Sequence, residues 1–72
     1  MVGAKIFSKK IGRRIKHLRT DAKLSQEKLA EMAGLNRAYI GYIERGERNP
    51  TIPTLQKIAK QLNVSIDEFF KF

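Results

Sequence analysis

There is no cysteine among the 72 residues, which removes a disulfide framework, a thiolate metal site and a nucleophilic thiol together. Long apolar runs are missing too; none approaches the roughly 20 residues that span a bilayer as a helix. No succession of charged, apolar and cleavable regions of the secretory kind opens the chain, so the expected location is the cytoplasm. Alternating apolar and polar residues are absent, and with them any readable strand. Histidine occurs once, as His17, with no second histidine, cysteine or carboxylate cluster near it. Neither a metal site nor a catalytic triad is readable, because no nucleophile, base and oxyanion donor come together. The expectation is therefore no enzyme, no cofactor, no metal and no small-molecule ligand.

Acidic residues are scarce: seven stand against fifteen lysines and arginines, for a net charge of +8. The imbalance is uneven. Residues 1–23 hold eight basic groups against Asp21 alone, a net of +7, while residues 24–72 hold seven basic and six acidic groups, a net of +1. Such an excess suits a polyanionic partner, since each neutralised phosphate releases condensed counterions. A solubilising charged face is the plainer reading of the same charge. Residues 6–18 are basic and amphipathic enough for a membrane surface, but their apolar side is better used inside the domain. Seventy-two residues make one domain, and so small a core leaves only a few kcal/mol of net stability. Extra burial in an oligomer would add to it.

Apolar spacing predicts five helices. The first runs from about Ser8 to Asp21, with Ile11, Ile15 and Leu18 in one stripe and Phe7 or Ser8 at its start. Ser25 caps the second, and Glu27 in its first turn complements the helix dipole. Asn36 caps the third, which ends at Gly46. Glu47-Arg48-Asn49-Pro50 reads as a polar loop. Thr51 caps the fourth, Pro53 is tolerated in its first turn, and Leu55, Ile58, Ala59 and Leu62 give it a buried face up to Asn63. Ser65-Ile66-Asp67-Glu68 is a capping-box pattern that starts a short fifth helix carrying Phe69 and Phe70.

Residues 26–45 (QEKLAEMAGLNRAYIGYIER) are the informative stretch, reading as two short helices hinged at Gly34. Leu29, Ala30 and Ala33 give the first an inward face, and small Ala30 lets a second helix cross closely. Gly34 takes the left-handed backbone that ends a helix without a Cβ penalty. Ile40 and Ile43 point the second helix at the core and leave Arg37, Ala38, Gly41, Tyr42 and Arg45 outward. This is the geometry of a helix-turn-helix, whose second helix enters the major groove of DNA. An αα-hairpin within any small helical domain is the bland alternative.

From Ile11 to Phe70 the chain resembles the phage-repressor and Cro type of helix-turn-helix domain, the xenobiotic-response-element family. The words that carry the resemblance are RRIKHLRTDAKLSQEKLAEMAGLNRAYIGYIERGERNPTIPTLQKIAKQLNVSIDEFF. Within it, NRAYIGYIERGERNPT is similar to the controller proteins of restriction–modification systems, small dimeric regulators that time expression of an endonuclease. The resemblance implies an all-α, five-helix repressor-like domain over residues 1–72, with its helix-turn-helix at 26–45 and dimerisation at 64–72. It also implies a double-stranded DNA partner and a pseudo-palindromic operator.

Residue roles follow from position and resemblance together. Arg37 stands one past the N-cap, where an arginine can grip guanine O6 and N7; a phosphate contact is its alternative. Ala38 offers a methyl group to thymine where related controllers often carry a hydroxyl, Gly41 permits close approach or merely eases packing, and Tyr42 faces a base or sugar. Phosphate contacts are expected from Ser25 and Gln26 at a helix N-terminus. By resemblance they are also expected from Arg45, Arg48 and Asn49, and from Tyr39, which packing explains equally well. Arg19 and Glu44 match an ion pair that turns the arginine toward a phosphate, or else an unimportant surface pair. Glu27 and Glu31 match acids that touch RNA polymerase in activating members, although both also read as ordinary helix-surface charges. Ile66, Phe69, Phe70 and Phe72 are more apolar than one small core needs, so some form a two-fold interface; Phe69 also suits the core. Two other functions fit such a domain. One is a bridging interaction module that reads no bases; the other is an autorepressing antitoxin, for whose toxin-binding segment 72 residues leave little room.

Overall fold

The structure, a computed structural model, describes residues 2–72, with side chains from Ser8 onward. Four α-helices follow one another: α1 (Val2–Asp21), α2 (Gln26–Ala33), α3 (Arg37–Glu44) and α4 (Ile52–Leu62). A 3-10 helix, Ile66–Phe70, closes the chain, and no strand occurs among the described residues.

The expected all-α plan is present, with two corrections. α1 starts at Val2 rather than near Ser8, since no proline interrupts the preceding residues. Ser8 is buried within the helix instead of capping it, and its hydroxyl donates to the Asn49 side-chain oxygen. The fifth element is a 3-10 turn and not an α-helix, because the capping box does not form. The Ser65 hydroxyl turns to the Asp67 carboxylate, while the Ser65 carbonyl accepts from the Glu68 amide at 3.1 Å. That is the i to i+3 pattern of the tighter helix.

The three inner helices begin on the residues their caps predict. Ser25 accepts from the Lys28 amide, Asn36 from the Ala38 amide, and Thr51 from the Thr54 amide. Each of the four α-helices ends in a Schellman turn. Leu24, Leu35, Glu47 and Val64 donate back to Arg19, Ala30, Tyr42 and Ala59, over a left-handed residue in every case. Two of those residues are Gly34 and Gly46; the others are Asn63 and Lys23, at φ of 58° and 60°. Leu24, Leu35 and Val64 then tuck against the core, as the turn places the residue beyond it over the helix it closes.

The core is the set of stripes expected from spacing: Ile11 and Ile15 of α1, Leu29 and Ala30 of α2, Ile40 and Ile43 of α3, and Leu55, Ile58, Ala59 and Leu62 of α4. Phe69 of the 3-10 helix is fully buried among them. It is a core residue, which removes it from the expected dimer surface; its ring is the largest side chain filling the centre.

One packing contact escaped the sequence. Gly12 lies against the last turn of α3, where a Cβ would stand 2.7 Å from the Glu44 carbonyl oxygen and 2.9 Å from its carbon. Both are backbone atoms, so α1 and α3 meet main chain to main chain and nothing flexible can yield. Gly12→Ala should therefore lower stability by about 2–3 kcal/mol, the usual cost of forcing a methyl into a packed seam. Thermal unfolding checks this, and an unchanged midpoint would mean that α1 is free to shift off α3.

Candidate nucleic-acid interface

The posture of α3 is set by a buried charged cluster at its C-terminal end. Arg19 of α1 donates to Glu44 through Nε at 2.6 Å and through Nη2 at 3.1 Å. Its Nη1 donates to the Leu24 carbonyl at 2.7 Å, and Gln26, the first residue of α2, donates to Glu44 Oε1 at 2.9 Å. Arg19 and Glu44 are only 8% and 7% exposed, so this is an interior pair and neither a surface pair nor a phosphate clamp. The planar fork is filled by a carboxylate and a carbonyl, which corrects the expected phosphate contact at Arg19.

On the outer side, Gln26, Arg37, Ala38, Gly41, Tyr42 and Arg45 surround an open depression of about 280 Å³. The sequence thus brings its four base-reading candidates together and adds two of its phosphate candidates to the same rim. Arg37 and Ala38 are exposed, and Arg37 makes no hydrogen bond or ion pair with other described residues. Gly41 is not an outward position but a buried floor. With no side chain of its own it is covered by Arg45, one turn on; a Cβ at Gly41 would come within 3.0 Å of Arg45 Nη1.

The Tyr42 ring carries two guanidinium groups, Arg45 at 5.3 Å and Arg48 at 5.2 Å from its centre. Cations over an aromatic face are attracted by its quadrupole, which keeps both arginines beside the depression. Arg45 also grips Glu47 with two bonds, of 3.0 and 3.2 Å. That hydrogen bond, ahead of the simple charge attraction, holds the Glu47 carboxyl below the ordinary carboxylate range and raises Arg45 above its usual value.

The remaining candidates scatter around this face. Ser25 is exposed and spends its hydroxyl oxygen on the Lys28 amide. Tyr39 is half-buried and packs on the core. Asn49 is exposed in the loop after α3 and accepts from Ser8. Glu27 and Glu31 are both exposed on α2, with Glu31 3.4 Å from Lys28. Ile66 packs partly on the core, whereas Phe70 and Phe72 are exposed, Phe72 with Lys10 Nζ 5.3 Å from its ring centre. Among the described residues no group of His, Cys, Asp and Glu is arranged to hold a metal ion, and no helix is long and apolar enough to cross a membrane.

Comparison with known proteins agrees with this geometry. The helix-turn-helix family model HTH_3 matches residues 15–69. Over 43 residues the chain is 60% identical to control protein C.SmaI of Serratia marcescens, covering 60% of this chain and 51% of that protein. The crystal structure of the restriction–modification controller protein C.AhdI from Aeromonas hydrophila superposes with a TM-score of 0.86. It is 43% identical, over 88% of this chain and 96% of that one. The biofilm master regulator SinR, crystallised in complex with DNA, superposes at 0.81 with 39% identity, over 85% and 98% of the two chains. The chain spans about half the length of C.SmaI.

The buried cluster makes a definite demand. Arg19→Met should cost about 3–5 kcal/mol, because it leaves the Glu44 charge buried with Gln26 as its remaining side-chain donor. The double variant Arg19→Met/Glu44→Leu should recover most of that loss. Denaturant titration measures both, and a single-variant cost below about 1 kcal/mol would class the pair with exposed ones.

Proposed function

The chain belongs to the helix-turn-helix family HTH_3, and from that membership we propose that it is a sequence-specific, double-stranded DNA-binding transcriptional regulator. The observation that carries the proposal is the outer face of α3. Arg37 and Ala38 sit at its N-terminal end, Tyr42 and Arg45 follow, and Gln26 closes the rim. An exposed arginine at the start of such a helix suits bidentate contact with guanine O6 and N7. The Ala38 methyl suits thymine, and the buried Gly41 lets the helix axis approach the base edges. Arg45, Arg48 and Asn49, with the amide end of α2 at Ser25 and Gln26, form a rim for phosphates.

Likeness to C.SmaI and C.AhdI supports the narrower reading of a controller within a restriction–modification system. Such a regulator reads two half-sites as a symmetric pair, with recognition helices about 34 Å apart. Ile66, Phe70 and Phe72 are the residues proposed for its two-fold interface. The exposed acids Glu27 and Glu31 are proposed to meet RNA polymerase where the protein activates.

Selection of bound sites from random duplex DNA tests the proposal, since a reader of bases yields one recurrent pair of half-sites and a bridging module yields none. On that operator, Arg37→Ala should cost about 1–3 kcal/mol and relax preference at one base pair. An equal loss on operator and scrambled DNA would assign Arg37 to a phosphate instead. Phe70→Glu should sediment as a monomer and bind the operator weakly, and a variant that still dimerises would move the interface elsewhere.

A further inference from the structure

Two basic stripes run along α1. Lys10, Arg14 and His17 face the C-terminal end of the chain, and each has a neighbour there. Lys10 lies over the Phe72 ring, Arg14 pairs with Glu68 at 3.6 Å and donates to its carbonyl at 3.0 Å, and His17 stands 3.3 Å from Asp21. Lys9, Arg13 and Lys16 form the second stripe. At i, i+4 and i+7 they stand one above another, and all three are exposed. Among the described residues none of the three has a carboxylate within ion-pair distance. Like charges one turn apart repel, so the stripe is a face that gains from an anion.

Two contacts fix where this stripe lies. At the end of α3, Gly46 (φ 74°) approaches α1 so closely that a Cβ there would stand 2.8 Å from Lys9 Cα and 2.9 Å from its amide nitrogen. One turn along the same side, the Ser8 hydroxyl donates to the Asn49 side chain. Lys9 therefore stands beside the loop of Arg48 and Asn49, the phosphate rim proposed above. Arg13 and Lys16 extend the line away from it.

We propose that Lys9, Arg13 and Lys16 are a second contact surface for the same duplex, gripping phosphates that flank the half-site read by α3. The proposal rests on the DNA-binding reading. It favours duplex over an acidic protein on two grounds: the stripe is continuous with the recognition rim, and it contains cations alone. No aromatic or aliphatic anchor of the kind that centres a protein interface stands within it. Rows of point charges suit phosphates, whose neutralisation releases counterions whatever the sequence.

The test compares the full chain with Lys9→Ala/Arg13→Ala/Lys16→Ala on the operator recovered by selection, across a series of salt concentrations. On a duplex with long flanks, the triple variant should lose about 2–3 units from the slope of log affinity against log salt, near 0.9 for each lost phosphate contact. Its preference for operator over scrambled sequence should stay unchanged. On a duplex trimmed to the two half-sites the two proteins should bind alike. The exchange Lys9→Arg/Arg13→Lys/Lys16→Arg keeps the charge and should keep the wild-type slope, which separates lost charge from a damaged fold. Equal slopes on the long duplex overturn the proposal, as does a loss that persists on the trimmed one. Unchanged DNA slopes with weakened binding to RNA polymerase would also overturn it, in favour of a protein partner. Should the wild type show no preference for any selected site, the regulator reading fails by itself, and flank-length dependence still reports on the stripe.

Discussion

The pair of Arg19 and Glu44 is the constraint on which the arrangement of the recognition helix depends. It gathers three chain segments at one point: the end of α1, the start of α2 with the Leu24 carbonyl before it, and the end of α3. An ion pair in a protein interior returns little net stability, because both charges have left water. Its value lies in intolerance. Any slide or rotation of α3 would strip donors from a carboxylate that has no water to replace them, so alternative packings of these short helices are penalised.

The same division of labour runs through the rest of the molecule. Inside, no buried side-chain polar atom lacks a partner among the described residues. Outside, the cations of the interface keep looser company, with Arg45 and Arg48 resting on the Tyr42 ring and Arg45 also held by Glu47. Exposed pairs of that kind are weak and screened by salt, so they hold a side chain near its working position without fixing it there.

Much of this was legible in the sequence. Helix starts and ends at Ser25, Gly34, Asn36, Thr51 and Asn63 follow from residue types that suit only a few backbone conformations. The apolar stripes followed from the 3.6-residue period. What escaped was decided by residues distant in the chain. Glu44 reads as a surface acid until Arg19, 25 positions earlier, is folded onto it. Gly12 reads as an ordinary helix glycine until α3 arrives at its back. Gly41 reads as outward because helical spacing says where a side chain would point, and it is silent about a neighbouring arginine lying across the gap. Lys23 carried no signal at all: its left-handed backbone is one that a glycine or asparagine would have announced. For the terminal segment, local pattern suggested an α-helix, but the Ser65 hydroxyl prefers the Asp67 carboxylate to a free amide.

The backbone seam at Gly12 has an implication for how such a protein changes its target. Because α3 is seated by its own carbonyl groups and by inward-facing isoleucines, the outward side chains contribute nothing to its pitch. They are free to vary. A lineage could trade one set of exposed residues for another and acquire a new address on the genome while the scaffold beneath stayed as it was.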